Sequence, residues 1–207
     1  MSGGGPAGTG AAGTPDRSFT ALGGETVYEG RLVDVRIERF RHADGEEVSR
    51  EIIRHRGAVA IVAHDDRHVW LVRQPREAVE EPDLLEIPAG RLDVEGEEPL
   101  AAAQRELAEE IGRGARAWEP ILSYYTSAGF TDERVHLFAA TDLYESHAES
   151  EENERIEVLA WPLSELDGAI AESRDAKTLI GLLWLARRLN GGLHRQGGRA
   201  AGAKPVQ

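Results

Sequence analysis

Between residues 25 and 57, apolar and charged residues roughly alternate. Val33, Val35, Ile37 and Phe40 stand among arginines and glutamates, and Ala43-Asp44-Gly45 reads as a turn. A period of two marks strands with one wet face, so this text predicts two or three antiparallel strands. The pattern then changes. Ala58-Val59-Ala60-Ile61-Val62-Ala63 is apolar throughout, as suits a buried central strand. His64 to His68 make a turn, and Val69-Trp70-Leu71-Val72 is the next strand, ending in Arg73-Gln74-Pro75-Arg76. Residues 77–83 read as an acidic loop before Leu84 to Ile87. From Pro99 to Gly112 the period is that of a helix, with Leu100, Ala103, Leu107 and Ile111 as its stripe. Pro99 suits the first position and Gly112 the stop.

Ala117 to Tyr125, Arg134 to Ala140 and Ile156 to Trp161 read as further strands, and 144–155 as an acidic loop. Pro162 to Glu172 looks like a short helix. A last helix starts near Asp175 and runs through Leu179, Leu182, Leu183, Leu185 and Leu189 to Asn190-Gly191. The order predicts an α/β/α sandwich with a mixed sheet, plus a small N-terminal antiparallel sheet. Residues 1–19 and 191–207 are rich in glycine and alanine and poor in large apolar groups, so they are expected to be flexible tails. The folded part divides into an extension, 20–57, and a main domain, 58–190.

Composition narrows the function. A net charge of −13 argues against non-specific nucleic-acid binding, which needs a basic footprint. The absence of cysteine rules out a disulfide framework or a thiolate metal site and fits a cytoplasmic protein. No apolar run reaches membrane-spanning length, and no signal-peptide pattern opens the chain.

The chemistry concentrates in Leu85 to Gly112. Glu106 and Glu110 are one helical turn apart, about 40° from each other on one flank of the stripe. Two such carboxylates repel and stabilise nothing by themselves. They are either a solvated acidic face or a place for a cation. Gly90, Glu97 and the run Arg105-Glu106-Leu107-Ala108-Glu109-Glu110-Ile111-Gly112 resemble the Nudix box, G-x5-E-x7-R-E-U-x-E-E-x-G-U with U aliphatic. From Glu97 to Gly112 the match is complete; six residues instead of five separate Gly90 from Glu97, and Arg113 replaces the final aliphatic residue. Splitting a diphosphate needs charge neutralisation and an activated water, and Mg²⁺, which prefers oxygen ligands, supplies both. The resemblance implies metal binding by Glu106 and Glu110, with Glu109 assisting and the Ala89 carbonyl as a further ligand. It implies Mg²⁺ as cofactor, with Mn²⁺ as a substitute, and makes Glu97 and Arg105 an ion pair bracing the loop against the helix.

Flanking text resembles the ADP-ribose pyrophosphatase branch of that family. The passages are Leu71-Val72-Arg73-Gln74 with Arg76, Leu85-Glu86-Ile87-Pro88-Ala89-Gly90, Ser127-Ala128-Gly129-Phe130-Thr131-Asp132-Glu133, and Arg174-Asp175-Ala176-Lys177-Thr178. A branch member hydrolyses ADP-ribose to AMP and ribose 5-phosphate and pairs as a homodimer through its N-terminal sheet. Arg73 and Arg76 are then the candidates for substrate phosphates, and Arg50 and Glu51 for the adenosine half. The general base has two candidates. Glu152 lies in an acidic loop like the one that carries the base in several relatives, and Glu133 matches a glutamate implicated in others. The alternatives are the same chemistry on another nucleoside diphosphate sugar, such as GDP-mannose, or a nucleotide-sensing module without catalysis. The histidines lack metal-ligand spacing. Trp70, Trp118, Trp161 and Trp184 read as core, and Tyr124 and Tyr125 as packing or cleft lining.

Overall fold

A computed structural model describes residues 16–146 and 155–191. The chain divides into two compact units between Arg54 and His55.

The first unit holds a three-stranded antiparallel sheet in the order β1 (Phe19–Glu29), β2 (Asp34–His42), β3 (Glu47–Arg54). The expected turn at Ala43-Asp44-Gly45 joins β2 to β3, with Gly45 at a φ of 90°. β1 begins earlier than the alternation indicated. Gly23-Gly24 interrupts the pattern, and a register shift between Ala21 and Gly23 absorbs it. A side chain at Gly24 would stand 2.1 Å from the Ile37 carbonyl oxygen, so the second glycine lets the two backbones meet. Glu38 of β2 accepts from Arg36 at 2.9 Å and from Arg54 of β3 at 2.7 Å.

The second unit contains a mixed four-stranded sheet in the order β7 (Ala89–Arg91), β4 (Ala58–Ala63), β9 (Arg134–Glu145), β8 (Arg113–Tyr125), in which β4 and β9 run parallel. A three-stranded antiparallel sheet orders β10 (Glu157–Pro162), β5 (His68–Arg76) and β6 (Glu81–Glu86). The region 77–83 is therefore not all loop. A single 3-10 turn, Glu77–Val79, lets β6 fold back on β5 and pair Glu81 with Arg76.

β4 explains the sandwich. Val59, Ile61 and Ala63 face one side, where Ala102, Ala103, Leu107 and Ile111 of helix α1 (Pro99–Ile111) cover them. Ala60 and Val62 face the other, under Leu166 and Ala169 of α2 (Leu166–Glu172) and Leu182 and Leu185 of α3 (Ala176–Gly191). A strand with two cores needs apolar residues at every position.

Two helix stripes differ from the periodicity reading. Leu100 is exposed and Ala102 is buried in its place. In α3, Leu183 and Leu189 are exposed, and the buried face is Thr178, Gly181, Leu182 and Leu185. Gly181 lets α3 close on the sheet, because a Cβ there would meet the Val62 side chain at 2.9 Å. Arg113 opens β8 and places its guanidinium over the Trp70 ring, 4.9 Å from the centroid, a contact open to a cation at that position.

Candidate active site

α1 is started by Pro99 and ended by Gly112, whose left-handed φ of 65° directs its amide to the Ala108 and Leu107 carbonyls. That fixes the register of the carboxylates. Arg105 lies among them. It bonds Glu97 through two nitrogens at 3.2 and 3.1 Å, Glu106 at 2.8 Å and Glu109 at 2.9 Å. The expected Glu97–Arg105 pair is present, but the arginine holds three glutamates. Glu97, more than the others, raises the guanidinium pKa above its ordinary value.

Glu106 packs against Gly90 so closely that a Cβ there would stand 1.8 Å from its carboxyl carbon. Glu110 is 8% exposed, and its carboxylate accepts from the Ala89 amide at 2.9 Å. The box glycine therefore makes room for one helix carboxylate while its neighbour's amide anchors another.

These residues fit a hard divalent cation. The donors are glutamate oxygens beside the β7 backbone, and the Gly90 cradle keeps Glu106 at that strand. Among the described residues no three acidic, histidine or cysteine side chains already converge on one point. Arg105 instead takes oxygens of Glu106 and Glu109, which is how three neighbouring negative charges coexist in this structure.

A second polar cluster joins Arg76 to Glu86, Asp175 and Lys177, the last three of which stand in passages quoted above for their resemblance but were given no role there. Glu86, 1% exposed, ends β6. Arg76 donates to its two oxygens at 2.6 and 2.8 Å, and Lys177 of α3 donates at 2.6 Å. Lys177 also pairs with Asp175 at 3.0 Å. Asp175 caps α3, accepting from the Thr178 amide at 2.9 Å and its hydroxyl at 2.6 Å. The Thr178 oxygen in turn accepts from the Ile87 amide at 3.0 Å, tying the helix start to the strand that leads into the box. The Glu86 hydrogen bonds raise the Arg76 pKa most, with further contributions from the charges of Glu86, Glu110 and Asp175. The available signal was a glutamate between Leu85 and Ile87 in otherwise buried strand text.

The other sequence candidates are placed as follows. Arg73 pairs with Glu172 and donates to the Asp83 carbonyl at 3.3 Å, so its partners are not those of Arg76. Glu133 accepts from the Thr126 hydroxyl at 2.8 Å and lies 3.7 Å from His55, closing the 126–133 loop. The Tyr124 hydroxyl is buried without a hydrogen-bond partner among the described residues. Burial, then the charges of Asp175 and Glu133, push its pKa above the ordinary tyrosine range. Arg50 and Glu51 lie on β3 in the first unit, where Arg50 donates to the Ser49 carbonyl at 2.9 Å. Glu152 lies outside the described residues.

Comparison with known proteins gives a consistent picture. A family model described as NUDIX domain matches residues 53–180. The ADP-ribose pyrophosphatase of Bacillus subtilis (strain 168) is 39% identical over 167 residues, covering 78% of this chain and 89% of that one. The methanol dehydrogenase activator of Bacillus methanolicus is 37% identical over 166 residues, with coverage of 78% and 89%. A crystal structure of an ADP compounds hydrolase superposes with a TM-score of 0.76 at 26% identity, over 86% of this chain and 98% of the other.

Proposed function

Because the chain belongs to the Nudix hydrolase family, we propose that it cleaves the diphosphate of ADP-ribose to AMP and ribose 5-phosphate. Mg²⁺ is the proposed cofactor, with Mn²⁺ as a substitute. The observation that carries this reading is Glu106 packed on Gly90 and Glu110 bonded to the Ala89 amide, with Arg105 holding Glu106 and Glu109 on the same helix. The substrate follows from the similarity to the Bacillus subtilis enzyme and from the flanking passages.

A divalent cation, when bound, supplies charge neutralisation on the diphosphate and a more acidic attacking water. Glu106, Glu109, Glu110 and the Ala89 carbonyl are the groups assigned to hold it. Glu97 keeps Arg105 in place, and Arg105 keeps the helix carboxylates from repelling one another. Arg76 is assigned to a substrate phosphate. Arg73, engaged by Glu172 and Asp83, is the secondary phosphate contact. Arg50 and Glu51 are assigned to the adenosine half. A base must reach the attacking water. Glu152 is the assigned base and Glu133 the alternative, since the Glu133 carboxylate is already engaged by Thr126.

We assign residues 58–190 to the hydrolase domain and 20–57 to a homodimerisation extension. A cytoplasmic location is part of the same reading; no helix among the described residues is long and apolar enough to cross a membrane.

The test is a substrate panel with Mg²⁺, comparing kcat/KM for ADP-ribose, ADP-glucose, GDP-mannose, NADH and a dinucleoside polyphosphate. Preference for ADP-ribose with AMP as product supports the assignment. Preference for GDP-mannose would keep the chemistry and change the substrate, and binding without turnover of any would overturn the enzymatic reading. Glu110→Gln should remove hydrolysis while the far-UV circular dichroism stays that of the parent.

A further inference from the structure

Glu86 is more deeply buried than any other charged side chain described. A carboxylate there requires a cation, because desolvation alone costs several kcal/mol. It has two, from different elements: Arg76 on β5 and Lys177 on α3. One would cancel its charge. The two cations differ in exposure, with 40% of the Arg76 side chain open against 16% for Lys177. Arg76 turns its Nε and Nη2 edge inward to Glu86, and its Nη1 donates to no described residue.

An arginine in a private pair with one carboxylate carries little net charge to a ligand. An arginine that shares its carboxylate with a second cation keeps that charge. Asp175, 3.0 Å from Lys177, offsets part of the lysine's charge, but its oxygen also accepts from the Thr178 amide and hydroxyl at the start of α3, where the helix end is partially positive. Thr178 binds the Ile87 amide, so the lysine's helix is fixed to the strand bearing Glu86.

We propose that Lys177 is a positioning residue which, by sharing the buried Glu86 carboxylate, leaves the outer edge of Arg76 charged and aimed at the diphosphate of the substrate. This rests on the assignment of a diphosphate substrate given above. It adds that the affinity for that group is set by a lysine that does not touch it. Arg76 reaches the helix carboxylates through the chain: it bonds Glu86, three residues before Ala89, whose amide bonds Glu110.

The test combines steady-state kinetics on ADP-ribose with equilibrium binding of ADP, a diphosphate probe, by the full-length protein in Mg²⁺. Lys177→Met should raise KM and the ADP Kd about tenfold, the scale of one charge-assisted hydrogen bond, with kcat changing less than about threefold. Lys177→Arg should restore both. The decisive variant is Glu86→Gln combined with Lys177→Met. Removing the carboxylate's charge returns net charge to Arg76, so ADP affinity should recover although one more native group has been lost. A lysine that only holds the fold together would give the opposite, a double variant weaker than the single one, and that result overturns the proposal. Unchanged ADP affinity in Lys177→Met overturns it as well. Failure of the parent to hydrolyse ADP-ribose would instead remove the substrate assignment, while the ADP series would still read the role of Lys177.

Discussion

Two details matter most at the residue scale: the missing Cβ of Gly90 for the site, and the hydroxyl of Tyr124 for stability. A methyl at Gly90 must displace the Glu106 carboxyl, and that carboxyl is the far end of a flexible side chain. The fold can therefore yield cheaply and the site cannot. Gly90→Ala is expected to cost about 1 kcal/mol or less in stability and to weaken Mg²⁺ binding at least about tenfold. Thermal melting and Mg²⁺ titration of hydrolysis would separate the two effects. The Tyr124 hydroxyl has the opposite balance. It is buried with no described partner, and leaving such a group unpaired costs about 1–3 kcal/mol. Tyr124→Phe should leave stability unchanged or raise it by about 1 kcal/mol in urea denaturation. A marked loss would mean that the hydroxyl is hydrogen-bonded in solution.

At the scale of elements, the first sheet contains a carboxylate whose titration can be followed. Arg54, ahead of Arg36, holds the Glu38 carboxyl below the usual carboxylate range, against a smaller opposing effect of burial. The folded pKa is thus lower than the unfolded one. The stability Glu38 contributes is complete above its unfolded pKa and is lost as the pH falls through the folded value. The Tm gap between the parent and Glu38→Gln should be open near about pH 6 and should close toward about pH 3. A gap that stays constant would assign the effect to packing. Helix α1 shows a related economy, in which one arginine relieves the repulsion of glutamates that a cation site requires close together.

The elements also show what could be read from the chain. The β4 run and, Leu100 apart, the α1 stripe were legible because burial on two faces, or on one, leaves a periodic trace. The box residues were legible because their spacing is a pattern in its own right. Glu86 and Lys177 stood in passages quoted for their resemblance, but their pairing was not legible, because the cations of Glu86 are 10 and 91 residues away in sequence and no local pattern records them. The same holds for α3. Its five leucines fit a helix, but which of them are buried is decided by the approach that Gly181 permits, and periodicity does not encode that distance. β1 was partly hidden because paired glycines break alternation whether they end a strand or bulge it.

At the scale of the whole molecule, a chain of net charge −13 faces an anionic substrate. Its general field opposes binding, so attraction has to be local and short-ranged. In the proposed function the glutamates of α1, holding a divalent cation, and Arg76 supply it.

The two cores on opposite sides of β4 have a consequence for amide hydrogen exchange. Val59 to Ala63 have no exposed surface and pair with β9 along their whole length, while only Val59 and Ala60 also pair with β7. The amides on the β9 edge lie under both helix layers, so they should report the global unfolding free energy. β7, which carries Ala89 and Gly90, is three residues long and, among the described strands, pairs only with β4. It should open locally and exchange faster. Adding Mg²⁺ with ADP is then expected to slow exchange at 89–91 before it changes anything at 59–63, so that the working edge of the sheet gains protection from ligand while its centre already has it from the fold.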